Sequence, residues 1–193
     1  MKTIYEKSVN EIVIKNSRFI TLLIPVFDDT DINKIFEEVK IEYPKATHYC
    51  YAYITKTFKK ASDDGEPGGT AGMPMLNVLE KEGMINTLAI TIRYFGGIKL
   101  GAGGLVRAYS KSVRDAIISA DTVEVVDGYK VKIVVSYDEQ KTLEYTLKDS
   151  LIINKDYLED VTYEVLISKD KLDILSNYSY QIISEEYIKK FSN

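Results

Sequence analysis

Hydrophobic and polar residues alternate along the first 120 positions with periods that predict four strands and three helices. A period of two, rich in β-branched residues, marks the strands, and apolar residues three or four positions apart mark the helices. The segment NTLAITIRYF is nearly all apolar or β-branched, which predicts a central strand. The predicted strands are NEIVIKN, RFITLLIPVF, ATHYCYAYIT and NTLAITIRYF, and the predicted helices are DTDINKIFEEVKIEYP, MPMLNVLEKEG and GLVRAYSKSVRDAIISA.

The remaining residues predict a second pattern with few breakers of helix or strand. Its elements are strand GYKVKIVVSY, helix DEQKTLEYTLKDS, two strands within SLIINKDYLEDVTYEVLIS, helix KDKLDILSNYS and strand YQIISEEYI. This order is the ferredoxin-like βαββαβ arrangement. Glycines also become scarce here, because ten of the eleven lie between Gly65 and Gly104. We therefore predict an α+β chain of two domains, residues 1–120 and residues 121–193.

Composition narrows the classes of function. With 45% hydrophobic and 28% charged residues the chain has a soluble globular composition, and no apolar run is long enough for a membrane helix. The opening MKTIYEKSVN lacks the apolar stretch of a signal peptide, so we expect a cytoplasmic protein without a membrane partner. Cys50 and His48 are the only residues of their types, which excludes a conventional structural zinc site within one chain.

Charge is spread unevenly along the chain. The net charge of -4 argues against bulk coating of nucleic acid. Residues 1–120, however, hold sixteen Lys and Arg against fourteen Asp and Glu, whereas residues 121–193 hold nine against fifteen. A polyanion would therefore bind the first domain, and the acidic second domain would meet protein or restrict docking.

A glycine-rich loop joins the predicted central strand to the following helix in RYFGGIKLGAGGLVRAYSKSVR. Free backbone N–H groups and the positive end of the helix make this arrangement an anion site. The spacing is neither a Walker A sequence nor a full dinucleotide fingerprint, and a close-packed turn is the alternative explanation. The candidate glycines are Gly96, Gly97, Gly101, Gly103 and Gly104.

Five cations accompany this loop. Arg107, Lys111 and Arg114 follow one another at i, i+4 and i+7, so they form one stripe on the helix. Arg93 and Lys99 flank the glycines. The five are candidates for contact with a polyanion, although solvated helix faces commonly carry such charges.

An acidic loop, SDDGEPGGTAGMP, carries Asp63, Asp64 and Glu66 within four residues. These carboxylates could bind a divalent metal through oxygen ligands or move a proton. They could equally form an Asx-type turn that caps the next helix, for which Thr70 is a candidate N-cap. The sequence leaves both roles open and favours the turn and cap.

His48 and Cys50 lie two apart on a predicted strand and share a face. The pair is a candidate nucleophile and base, with His48 also a candidate partner of the acidic loop. A cysteine on a strand is more commonly a small buried hydrophobe, and that interpretation is favoured.

Four segments resemble the signature blocks of the IMPACT/YigZ family: KNSRFI, HYCYAY, SDDGEPGGTAGMPML and IRYFGGIKLGAGGLVRAY. The resemblance, to a bacterial two-domain member, implies a first domain similar in fold to the second domain of a small-subunit ribosomal protein. It implies a ferredoxin-like second domain similar to the last domain of elongation factor G, and an association with translation. The blocks fall on Ser17, Arg18, His48, Ser62, Asp63, Asp64, Gly65, Glu66, Pro67, Thr70, Gly72, Arg93, Gly96, Gly97, Gly101, Gly103, Gly104 and Arg107.

Three functional hypotheses follow. The favoured one is a non-catalytic protein that binds structured RNA or the ribosome and is linked to regulation of translation. The alternative is an enzyme or binding protein for a small anionic, phosphorylated ligand, with a divalent metal as the only cofactor considered. The third is a protein partner bound by the second domain, whose tyrosines suit an interface. These tyrosines are Tyr129, Tyr137, Tyr145, Tyr157 and Tyr163.

Overall fold

Apolar strands of the first half assemble into one antiparallel sheet in the computed structural model, which describes residues 1–189. The strand order is β2-β3-β6-β4-β5. β6 is central, as predicted, and seven of its eight residues are buried. The strands are β1 (Lys2–Ile4), β2 (Ser8–Ile14), β3 (Ser17–Pro25), β4 (His48–Ile54), β5 (Lys59–Ser62) and β6 (Thr87–Tyr94).

The sequence analysis does not predict strands β1 and β5. β5 is only four residues long and mostly polar, KKAS, and it pairs with the outer edge of β4. β1 is three residues long, and the backbone of Lys2 exchanges hydrogen bonds with Gly83 and Ile85. Neither segment has enough residues to establish a period of two, so tertiary pairing decides both strands.

Three helices cover the two faces of this sheet. α1 (Ile32–Glu42) begins at Asp31, whose carboxylate accepts the N–H groups of Asn33 and Lys34, and it packs over the β3 and β6 face that carries Leu22 and Ile90. α2 (Gly72–Lys81) and α3 (Ala102–Ser119) cover the opposite face, where Tyr109 of α3 meets Phe19 of β3 edge to face. That second face holds the candidate chemistry.

The elements that follow α3 are β7 (Thr122–Val135), α4 (Gln140–Thr146), β8 (Leu151–Tyr157), β9 (Val161–Ser168) and β10 (Tyr180–Lys189). These four strands follow the order β10-β7-β9-β8 in a second sheet, and each neighbouring pair of them is antiparallel. The core here includes Val131, Ile133, Tyr163 and Val165. The segment KDKLDILSNYS forms a 3-10 helix over Lys169–Leu175 rather than an α-helix.

The chain divides into two units, Met1–Val123 (unit 1) and Glu124–Asn193 (unit 2). Both combine a sheet with helices, which confirms the predicted α+β class. Residues 190–193 of the predicted second domain lie outside the described residues. Among residues 1–189, no helix is both long and apolar enough to cross a membrane.

Candidate functional site

The acidic loop between β5 and α2 is held by the carboxylate of Asp63. Its Oδ2 accepts the Gly69 N–H at 2.8 Å, and its Oδ1 accepts the N–H groups of Ala71 and Gly72 at 2.9 Å each. Burial by itself would raise the pKa of this carboxyl, but the three backbone donors outweigh it and lower the pKa. Asp63 is therefore the cap of α2.

Thr70 does not have the predicted N-cap role. The N-cap position of α2 is Ala71, which has no side-chain hydrogen bond, and the Thr70 hydroxyl donates instead to the Pro67 carbonyl at 2.6 Å. The prediction was wrong because the carboxylate of Asp63, which directly follows β5, already accepts the first N–H groups of the helix.

Asp64 turns the loop back over the start of β4. Its φ of 43° lies in the left-handed region, as does the φ of 81° at Gly65. The Asp64 carboxylate accepts the Tyr49 N–H at 2.6 Å, and the Asp64 carbonyl lies 2.7 Å from Nδ1 of His48. The exposed Asp64 thus uses both its carboxylate and its backbone to fix the loop.

Glu66 is buried and joins three segments that lie far apart in sequence. Its Oε1 accepts from Nη1 of Arg93 at 2.5 Å and from the Tyr109 hydroxyl at 2.8 Å. Its Oε2 lies 3.8 Å from Nε2 of His48. A carboxylate this deeply buried requires such partners.

Arg93 is the main correction to the predicted basic surface. The residue is only 5% exposed, and its guanidinium carbon lies 5.4 Å and 5.6 Å from the ring centres of Phe19 and Phe95. Strand pairing places it opposite His48 on the face where it meets Glu66. Arg93 therefore belongs to a buried ion pair and is no exposed cation.

The three acidic candidates do not converge on one point. Asp63 faces the start of α2, Asp64 faces the β4 backbone, and Glu66 faces the buried arginine. Across residues 1–189 no group of three or more His, Cys, Asp or Glu side chains has an arrangement that could hold a metal ion. These three candidates thus do not form a metal cluster, and the favoured turn-and-cap role agrees with the hydrogen bonds of Asp63.

Cys50 is a buried thiol. Its Sγ lies 2.9 Å from the Asp63 carbonyl and 3.3 Å from the Tyr109 hydroxyl. Burial raises the pKa of the thiol to about 12, so the thiolate needed for nucleophilic attack is disfavoured. The candidate pair of Cys50 with His48 is contradicted, and the favoured interpretation of a small buried residue holds.

The glycines of the second loop serve different purposes. A Cβ at Gly96 would lie 2.0 Å from the carbonyl carbon of Asn16, so this glycine permits close backbone packing. Gly97 and Gly101 have φ of 84° and 72°, and Gly101 is the N-cap of α3 without a side-chain hydrogen bond. Gly103 and Gly104 follow in the first turn of α3. The anion-site hypothesis thus concerns Gly101, Gly103 and Gly104, which lie at the N-terminus of α3.

Three cations do form an exposed stripe on α3. Arg107, Lys111 and Arg114 are all exposed, as is Lys99 in the preceding loop. Lys111 donates to Asp115 at 2.6 Å, an acid four residues further along that the sequence analysis overlooked. For Arg107 and Arg114, no acidic partner occurs among residues 1–189.

A cavity of about 360 Å³ brings the acidic loop and the glycine loop together within unit 1. The buried ion pair forms part of its wall, and the N-terminus of α3 lies at the other side. It is lined by Thr47, His48, Glu66, Pro67, Arg93, Phe95, Lys99, Leu100, Gly101, Ala102 and Leu105.

Sequence analysis missed two features of unit 1. Tyr109 is not among the candidate site residues, although its hydroxyl links Cys50 with Glu66. A further cavity of about 460 Å³ is lined by Tyr49, Tyr51 and Tyr53 on the α1 side of the sheet. The alternating tyrosines of HYCYAY were the signal for it, because a period of two places them on one face.

The Impact N-terminal domain family matches residues 15–117. "IMPACT family member YvyE" of Bacillus subtilis (strain 168) is 37% identical over 188 residues, which cover 93% of this chain and 85% of that protein. "IMPACT family member YigZ" of Escherichia coli (strain K12) is 38% identical, with 82% and 81% covered. A crystal structure of a hypothetical protein is 32% identical with a TM-score of 0.67, covering 95% of this chain and 97% of that one.

Proposed function

Because this chain belongs to the IMPACT family, we propose that it is a non-catalytic RNA- or ribosome-binding protein linked to the regulation of translation. Its binding surface would be the α3 basic surface, which comprises Lys99, Arg107, Lys111 and Arg114 together with the N-terminus of α3. The observation that carries the proposal is that Arg107 and Arg114 are exposed on the helix that begins at this N-terminus, with no acidic partner among residues 1–189.

The N-terminus of α3 suits a phosphate group. The helix has 18 residues and begins after Gly101, which offers no side chain to accept the first N–H groups. These groups and the helix dipole, equivalent to about half a positive charge, attract an anion. Gly101 and Gly103 are exposed and carry no side chain to obstruct a nucleic-acid backbone.

The cations extend this site along the helix. Arg107 and Arg114 are seven residues apart, which corresponds to roughly 10 Å along the axis of α3. That distance is long enough for contacts to the phosphates of more than one nucleotide. Guanidinium groups also bind phosphate oxygens in a bidentate manner, which lysine does not.

The acidic loop supports a binding role in preference to catalysis. Asp63 caps α2, and Glu66 neutralises Arg93, so both carboxylates already stabilise the fold. Cys50 is buried with a raised pKa. The groups that the enzyme hypothesis would use for chemistry thus have structural partners.

The proposal extends to the two units. The antiparallel order β10-β7-β9-β8 supports a ferredoxin-like fold for unit 2, similar to the last domain of elongation factor G. Unit 1 would share its fold with the second domain of a small-subunit ribosomal protein. Residues 121–193 carry six more acidic than basic residues, so this half would bind a protein partner rather than RNA. A cytoplasmic location follows from the proposed ribosomal partner.

The test is binding of the full chain to purified ribosomes and to structured RNA over a series of salt concentrations. The variant carries Arg107→Ala and Arg114→Ala, and the matched control carries Lys34→Ala and Lys60→Ala, which remove the same charge from exposed positions of unit 1. Log K falls as log salt rises, and each lost phosphate contact makes this slope shallower by about 0.7 to 0.9. We therefore expect the slope of the arginine variant to be shallower than that of the wild type by roughly 1.5. Unchanged binding and slope in the arginine variant would overturn the proposal.

A further inference from the structure

The cavity between the acidic loop and α3 has the composition of a small-molecule site. Its volume of about 360 Å³ is at the lower end of the roughly 300–1,000 Å³ usual for such sites. Apolar groups from Pro67, Phe95, Leu100 and Leu105 line it, and a few polar groups converge on it. Phe95 is 47% exposed, so its ring is available to a planar ligand.

Arg93 contributes hydrogen-bond donors that the protein does not use. Of its five N–H groups, Nη1 donates to Glu66 and Nη2 reaches Ser17 only at 3.5 Å. The buried Nε has no acceptor at all. Buried polar atoms nearly always have a partner, and Arg93 lines the cavity. A ligand acceptor in the cavity would therefore meet a side chain whose donors are incompletely used.

The N-terminus of α3 supplies a second anion-binding element at the same cavity. Gly101 and Ala102 line the cavity, and no side chain caps the helix there. Lys99, also exposed, lines it as well. Lys99 and the first residues of α3 therefore line a common volume.

The charges around the cavity favour an anion despite the presence of Glu66. Arg93 neutralises that carboxylate directly. His48 donates its Nδ1 proton to the Asp64 carbonyl, because a carbonyl oxygen can only accept. The other ring nitrogen of His48, Nε2, lies 3.8 Å from Oε2 of Glu66. The positive charge of Lys99 and the helix end remain uncompensated.

We propose that this cavity binds a nucleoside monophosphate, with its phosphate at the N-terminus of α3 and its base against Phe95. The phosphate matches the helix end and Lys99, and the planar base matches the aromatic and apolar wall. The site shares Lys99 and the N-terminus of α3 with the α3 basic surface but does not include Arg107 or Arg114. The test of the proposed function with those two arginines is therefore distinct from the test of this cavity. The same chemistry is offered by a free mononucleotide and by the phosphorylated end of an RNA strand.

The test is titration of the isotope-labelled full chain, followed by NMR of backbone amides and by calorimetry. The probes are adenosine 5′-monophosphate, adenosine, inorganic phosphate and a 5′-phosphorylated RNA trinucleotide. Adenosine 5′-monophosphate should shift the amides of Ala102, Gly103 and Gly104 to saturation and bind at least about tenfold more tightly than adenosine or phosphate. The ratio of the affinities for the mononucleotide and the trinucleotide shows whether the cavity prefers a free mononucleotide or the phosphorylated end of an RNA strand.

Two substitutions at one position provide the control. Ala102→Pro removes one N–H from the cradle, and proline suits the first position of a helix, so the fold should persist. Ala102→Ser keeps the N–H. We expect about a tenfold loss of affinity for adenosine 5′-monophosphate in the proline variant alone. Lys34→Ala, which removes a positive charge from an exposed position of unit 1 outside the cavity lining, should leave this affinity unchanged.

Two results would overturn the inference. The first is an absence of saturable binding of adenosine 5′-monophosphate in the wild-type chain. The second is equal loss in the proline and serine variants, because the lost affinity would then not come from the N–H group. Neither result affects the ribosome experiment with Arg107 and Arg114.

Discussion

Replacing Asp63 by alanine should destabilise unit 1 by about 2–6 kcal/mol. The substitution removes the acceptor of three N–H groups, from Gly69, Ala71 and Gly72. Gly69 is exposed, so water replaces the carboxylate there. Ala71 and Gly72 are buried, and each unsatisfied donor costs about 1–3 kcal/mol. The expected loss is a large share of an ordinary stability of about 5–15 kcal/mol.

Asp63→Asn separates geometry from charge. The amide retains one oxygen, which can accept the two N–H groups at 2.9 Å that Oδ1 accepts, but it turns an NH₂ group towards Gly69. We expect a loss of about 1–2 kcal/mol, smaller than that of Asp63→Ala. The ordering of the two variants therefore tests the geometry of the cap.

The pH dependence follows from the lowered pKa of Asp63. A carboxyl whose pKa is lower in the folded than in the unfolded chain stabilises the fold at pH values above its unfolded pKa of about 3.9. This contribution is lost as the pH falls through the lower folded pKa. The difference in stability between wild type and Asp63→Asn should thus be largest near neutral pH and shrink in acid.

The assay is urea unfolding followed by far-UV circular dichroism and by tyrosine fluorescence, since the chain has 15 tyrosines and no tryptophan. Amide hydrogen exchange in α2 reports the same change locally, which separates unit 1 from unit 2. Asp29→Ala, at an exposed aspartate for which no hydrogen bond occurs among residues 1–189, is the control. If Asp63→Ala is as stable as Asp29→Ala, the capping role is refuted.

Three further predictions concern other sites. The Cys50 thiol, with its pKa raised to about 12, should resist labelling by a thiol reagent at about pH 8 until the chain unfolds, and rapid labelling of the native chain would contradict this. Gly96→Ala should lower the free energy of unfolding in urea by about 2–3 kcal/mol, because its Cβ would meet the backbone of Asn16 at 2.0 Å. Gly68→Ala, whose Cβ would have no atom within 4 Å, should be nearly neutral. Equal stabilities of the two variants would exclude the close approach at Gly96. Tyr163→Phe should cost about 1 kcal/mol by losing the 2.8 Å hydrogen bond to Glu144, and an unchanged midpoint would show that this bond contributes nothing.

Much of the fold could be predicted from local pattern. The apolar run of β6 indicates a central strand, and the spacing of Ile32, Ile35 and Val39 indicates the buried face of α1. Both predictions succeed because strand and helix periods are set by backbone geometry within a few residues. β5 fails the same test, since four mostly polar residues carry no period and the strand exists only because β4 offers an edge.

The candidate site could be predicted only in part. The acidic loop and the glycine loop are recognisable from their composition, and the exposed stripe of Arg107, Lys111 and Arg114 follows from helical spacing. The roles of the residues in these loops depend on partners that are distant in the sequence. Glu66 meets Arg93 across 27 positions and Tyr109 across 43. An arginine that flanks a glycine loop therefore has the same local sequence whether it is exposed or paired in the interior.

The sequence by itself determined the family, the α+β class, the apolar and alternating runs that form β3, β4 and β6, and the clustering of glycine and charge that marks the two loops. Only the tertiary structure decided that Arg93 and Cys50 are buried and that one cavity joins both loops. The physical reason is that burial and hydrogen-bond partnership depend on residues brought together by sheet register, whereas periodicity and turn formation depend on neighbours in the chain.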